Sequence, residues 1–188
     1  MDTDLYKKVK QFVVNSFVKA DNAGEIKHFE RTAYWIKQLN PNADEAMLIA
    51  AFSHDIERAF READYQGKFR KTKKGFRDEN HLRYHQQKAA EIITDFLKSQ
   101  NANNKLVERV EMLVSKHEIG GNSDQNLLMD ADSISFFENN IEAFLLNMVP
   151  KVGATKVKEK FDWMFDRISS KKAKEVARSW YENAIQSI

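Results

Sequence analysis

The chain has 188 residues, ample for one domain with a buried core, and its 30 basic and 28 acidic residues leave a formal charge of +2. That balance argues against a protein built to coat nucleic acid, and the absence of cysteine removes disulfides, thiolate nucleophiles and thiolate zinc sites. The amino terminus MDTDLYKKVK carries acids at once, and no apolar run approaches the roughly 20 residues needed to cross a bilayer, so the expectation is a soluble, cytoplasmic protein with no membrane partner.

Apolar residues recur every three or four positions, which predicts amphipathic helices near residues 3–20, 25–39, 43–62, 80–99, 103–118, 127–147, 154–169 and 171–186. The breaks fall at Gly24, Pro41, Gly67, Gly75, Gly120–Gly121, Pro150 and Gly153. No alternating strand pattern competes, and no linker divides the chain. The predicted fold is all-α, a single-domain bundle of about seven to eight helices over residues 1–188. Its polar loop, Gly67–Asn80, carries Lys68, Arg70, Lys71, Lys73, Lys74 and Arg77. The segment KFDWMFDRI, residues 160–168, presents Phe161, Met164, Phe165 and Ile168 at helical spacing and reads as a packing face.

Taken in chain order, the apolar stripes are interrupted by polar residues. The second helix carries His28 among Thr32, Trp35 and Leu39. The third carries His54 after Met47 and Ala50, with Asp55 beside it and Arg58 a turn later. The fourth carries His85, the fifth ends its stripe at His117, and the sixth places Asp132 a turn after Leu128. Burying such groups without a partner costs several kcal/mol. Taken singly, each is a hydrogen-bonded core residue. Taken together, imidazoles and carboxylates from five helices form the ligand set of a divalent ion.

A histidine on one helix, a His-Asp doublet ending the next and a late Ala-Asp resemble the HD superfamily of metal-dependent phosphohydrolases. The residues are His28 in EIKHFERTAYW, His54–Asp55 in IAAFSHDIER and Asp132 in LLMDADSIS. The resemblance covers residues 25 to about 140, and the helices of residues 150–188 are expected to pack on that core. His85 in RYHQQKAAEI and His117 in VSKHEIGG match positions that hold a second ion in multi-histidine branches. The Gly-Tyr-Pro motif of the cyclic-dinucleotide branch is absent. In the DAD triplet either Asp130 or Asp132 satisfies the pattern, with Asp132 favoured.

The resemblance implies one or two divalent ions per chain (Mn, Fe, Zn, Ni or Mg) held by His28, His54, Asp55, Asp132, His85 and His117. It also implies hydrolysis of a small phosphorylated molecule, commonly a nucleotide. Asp55 is placed to bridge two ions or orient a water, and Arg58 to clamp a phosphate, though an ordinary ion pair explains Arg58 as well. Lys116 is a weaker phosphate candidate. Lys71, Lys73 and Lys74 suit a lid over an anion or plain solvated surface. His81, a turn before His85, extends the site or ends a loop. Two other function classes fit the same residues: a sensor that binds a nucleotide or metal without turnover, and a helical interaction module with structural histidines. Oligomeric state is left open.

Overall fold

The three-to-four-residue apolar period folds as helices. A computed structural model describes residues 2–61 and 77–188, and its regular elements among these are nine α-helices and two short 3-10 segments. The helices are α1 (Asp4–Lys19), α2 (Ile26–Leu39), α3 (Glu45–Ser53), α4 (Glu79–Ser99), α5 (Asn104–Val114), α6 (Ser123–Asn139), α7 (Ile141–Val152), α8 (Ala154–Asp166) and α9 (Lys171–Gln186). The 3-10 segments are Ala23–Glu25 and Ile56–Phe60.

Side chains that compete for backbone amides set the helix starts. Thr3 accepts from the Tyr6 amide at 3.1 Å, and Asp44 from the Met47 amide at 2.9 Å. Asn122 and Gln125 form a reciprocal capping box at α6. Two helices are central. α3 is apolar on all sides, and ten consecutive residues of α6, 128–137, are buried. A helix with no solvent face must be wrapped by others. Here α1, α2 and α5 pack against α3, while α2, α3, α5 and α9 pack against α6.

The core forms two clusters that meet along α6. One gathers α1 to α5 with Leu128 and Ala131 of α6. The other joins Ile134, Phe136 and Phe137 of α6 to Val157, Phe161, Met164 and Phe165 of α8 and to Ala173 and Ala177 of α9. Trp35 and Leu39 of α2 pack against both. Residues 160–168 are therefore a packing face, as their spacing predicts: Phe161, Met164, Phe165 and Ile168 are all buried.

Four boundaries differ from the periodicity. The third helix stops at Ser53 rather than near 62, and its continuation is the tighter Ile56–Phe60 turn. The fifth stops at Val114, so His117 lies in the turn beyond it. The run expected over 127–147 starts at Ser123 and splits at Asn140 into α6 and α7. Pro150, expected in a break, sits inside α7. Its missing amide removes one bond a single turn before the helix ends at Gly153, where φ is +87°. These extra interruptions raise the helix count above seven or eight.

Candidate metal centre

The end of α3 supplies the first part of the site. His54 caps α3, and Asp55 precedes the 3-10 turn without capping it, so its carboxylate turns inward. α2 brings His28, α4 brings His85, the turn after α5 brings His117 and Glu118, and α6 brings Asp132. All are buried. Their candidate ligand atoms fall into two groups, each with every atom within 4.8 Å of the others: His28, His54 and Asp132, and Asp55, His85, His117 and Glu118.

Separations inside the first group suit a shared ion. The His28 Nε2 to Asp132 Oδ1 distance is 3.1 Å, and His54 Nε2 lies 3.5 Å from the same oxygen. Two ligands on a tetrahedral ion with bonds of roughly 2.1 Å sit about 3.4 Å apart. In the second group, His85 Nε2 is 2.8 Å and His117 Nε2 3.5 Å from Asp55 Oδ1. Glu118 Oε1 lies 3.9 Å from each of those nitrogens. Asp55 joins the groups, because its Oδ2 faces His54 Nε2 at 3.6 Å.

The imidazole tautomers point the same way. A carbonyl oxygen only accepts, so His54 Nδ1 donates to the Ala51 carbonyl at 3.0 Å and His117 Nδ1 to the Val114 carbonyl at 2.8 Å. Ser135 gives its hydroxyl proton to the His28 carbonyl and so accepts from His28 Nδ1 at 2.9 Å. His85 Nδ1 donates to Glu57 at 2.6 Å. All four rings are thus held from behind with Nε2 turned inward, the arrangement that orients metal-ligating histidines. His54 Nε2 and His117 Nε2 are buried and have no hydrogen-bond partner. Such an atom is costly inside a protein unless a ligand meets it. The donor set therefore fits one or two divalent ions, although nothing in it singles out which metal.

The electrostatics hold the carboxylates ionised. Burial opposes charge on Asp55, but Arg58 and His54 outweigh it and keep its pKa well below the usual range. Burial likewise opposes charge on Asp132 and is outweighed by Arg167 and His28; Glu118 is brought to about 2, chiefly by Arg167 against its burial. For His54, burial is outweighed by Asp55 and Asp132, raising it to about 9, whereas burial dominates at His117 and lowers it.

The other sequence candidates separate. Arg58, about one third exposed, places Nη2 2.9 Å from Asp55 Oδ2 and Nη1 3.5 Å from Glu25. It is thus paired with the carboxylate that joins the two groups. Asp130 accepts from the Ser169 and Ser170 amides at 2.6 and 3.0 Å, so it holds the α8–α9 turn while Asp132 faces the histidines. His81 is half-buried, its ring 6.4 Å from that of His85, and burial lowers its pKa to about 4. Lys116 is exposed and lines a groove with Arg83, Gln86 and Ile119 rather than joining the cluster's ligand atoms. Lys71, Lys73 and Lys74 lie outside the described residues.

Four contributors escaped the sequence reading. Glu118 follows His117 directly but sits off any helical stripe. Glu57 holds His85 and is itself gripped by Arg61 at 2.7 to 2.9 Å. Arg167 bonds to both Asp132 and Glu118. Lys160 lies over the Trp163 ring at 4.3 Å, and burial lowers its pKa to about 8. The last two come from the segment whose apolar spacing drew attention to packing instead.

No curated protein and no solved structure matches the chain. A family model described as a domain of unknown function, DUF4202, matches residues 10–186. The match spans the whole of the cluster and, but for Tyr6 and Val9, the buried residues of both hydrophobic cores, and the chain belongs to that family.

Proposed function

We propose that the chain is an HD-type, metal-dependent phosphohydrolase acting on a small phosphorylated molecule, with nucleotides as the leading class. The observation that carries this reading is the set of four imidazoles, each fixed through Nδ1 and turned through Nε2 toward carboxylates bridged by Asp55. The chain order His28, His54–Asp55, His85, His117, Asp132 supports it through the resemblance to the HD superfamily.

The site would hold one ion among His28, His54 and Asp132 and another among His85, His117 and Glu118, with Asp55 shared. Bound divalent ions supply an activated water and neutralise charge developing on phosphoryl oxygens. The chain's own groups do the remainder. Arg58 and Lys160 place positive charge beside the cluster for an anionic substrate. Asp55 stays ionised with His85 Nε2 at one oxygen and Arg58 Nη2 at the other, and Glu57, Ser135 and two backbone carbonyls keep the rings from rotating.

A second reading rests on burial: every candidate ligand is less than 10 % exposed, which also suits a non-catalytic metal or nucleotide sensor. The deciding experiment measures metal content, then turnover of p-nitrophenyl phosphate and a nucleotide panel with and without added manganese. Bound metal with manganese-dependent turnover is expected. Bound metal with no turnover across the panel selects the sensor, and a protein that takes up no metal under any loading condition removes both the hydrolase and the metal sensor.

A further inference from the structure

Arg167 lies outside every motif that points to the metal centre, yet it touches both halves of it. It follows the last residue of α8, and its side chain is only 7 % exposed. Nη2 donates to Asp132 Oδ2, Nη1 donates to Glu118 Oε2, and Nε donates to Ser133 Oγ at 2.8 Å. The Trp163 ring centre lies 4.7 Å from its Cζ. The opposite oxygen of each carboxylate, Asp132 Oδ1 and Glu118 Oε1, faces the imidazoles.

One planar fork therefore occupies the outer oxygens of two carboxylates that belong to different ligand groups, and leaves their inner oxygens turned toward the histidines. A guanidinium presents its donors at fixed angles, whereas an ammonium is a point charge that cannot span both in the same way. Rotation of either carboxylate breaks a bond to the same residue that holds the other. We infer that Arg167 is a positioning residue that sets the spacing between the two ion sites, so that they load as a pair. This rests on the metal reading above.

The test is a calorimetric titration of the chelator-stripped full chain with Mn²⁺ alone, run on the wild type, Arg167→Met, Arg167→Lys and Asp130→Asn. Two ions are expected in the wild type. Arg167→Met should weaken both sites by roughly 10- to 100-fold, the usual effect of losing a group that orients a ligand. Arg167→Lys should weaken both as well, by less, because it restores charge without the fork. Asp130→Asn should lower the melting temperature but leave both affinities alone, since Asp130 anchors the same turn without touching a candidate ligand. If Arg167→Met fails to fold, Arg167→Lys decides by the same titration. Unchanged affinities, weakening confined to one site, or equal weakening in Asp130→Asn overturn the role of Arg167 while leaving the metal reading standing. A wild type that takes up neither Mn²⁺ nor, in the same titration, Zn²⁺, Fe²⁺, Ni²⁺ or Mg²⁺ overturns both together.

Discussion

Asp55 offers one carboxylate oxygen to each half of the cluster: Oδ2 toward His54, and Oδ1 toward His85 and His117. On the proposed two-ion reading, removing it would take a ligand from both ions, so Asp55→Ala should strip nearly all bound metal and abolish the proposed hydrolysis. His54→Ala should do so mainly at its own group. His85→Ala or His117→Ala should halve the metal content and spare the His28–His54–Asp132 ion. Metal analysis of the four purified variants, each checked for helical content, reads this directly; full occupancy in Asp55→Ala would sink the assignment. The six residues singled out from the stripes are all buried and converge. Glu118, Glu57 and Arg167 escaped because a charged residue next to a turn, or on the polar side of a helix, reads as surface. What buries them is the partner from a distant element, such as Arg167 for Glu118 across 49 positions, and no local pattern encodes that.

Helices themselves were legible wherever one face meets solvent, because only then does apolar spacing show. α3 and α6 lack such a face, and their boundaries drifted most. The departures also serve the site. Ending α3 at Ser53 frees Asp55 from the helical ladder, and ending α5 at Val114 lets a turn present His117 and Glu118 side by side. That turn closes through Gly120, whose φ is +69°. A Cβ there would stand 2.3 Å from Asn126 Oδ1 and 3.0 Å from Met129 Cε. Gly120→Ala should cost about 1–3 kcal/mol through backbone strain, and it should weaken the His117–Glu118 ion before the other. Chemical denaturation paired with metal titration separates the two effects, and a variant as stable as the wild type contradicts the strain. The basic segment from Lys68 to Lys74 lies outside the described residues, yet Arg61 and Asp78 on its flanks are within reach of the cluster's own elements. Neutralising Lys71, Lys73 and Lys74 together should raise KM more than it lowers kcat, as for lost uniform binding; a wild-type KM at low salt makes them ordinary surface.

Across the molecule, the cluster lies beside α6, along which the two hydrophobic cores meet, so the ions would cross-link side chains from five elements that already share the first core. His28 belongs to α2, His54 to α3, His85 to α4, Glu118 to the turn after α5 and Asp132 to α6. The metal-free chain still has counter-charges for its buried acids: Arg58 on Asp55, Arg61 on Glu57, and Arg167 on Asp132 and Glu118. A buried carboxylate with a bonded guanidinium is tolerated, whereas an unpaired one is costly. The cores are also complete without the ions, with Phe17, Phe29, Phe52 and Phe161 fully enclosed. Chelation should therefore leave the helices folded at room temperature and lower the melting point rather than unfold the chain. An ion present at about 100 times its dissociation constant stabilises the folded state by roughly 2.7 kcal/mol. For a chain of this length each kcal/mol moves the midpoint by roughly 2–4 °C. The fall on chelation should then be about 5–11 °C per ion, with the ordinary helical circular dichroism kept at 25 °C and the midpoint restored on adding manganese. Loss of the helical signal on chelation would mean that the ions, not the two cores, hold the bundle together. An unchanged midpoint in a protein shown to have lost bound metal would mean that the ions sit elsewhere than at this seam.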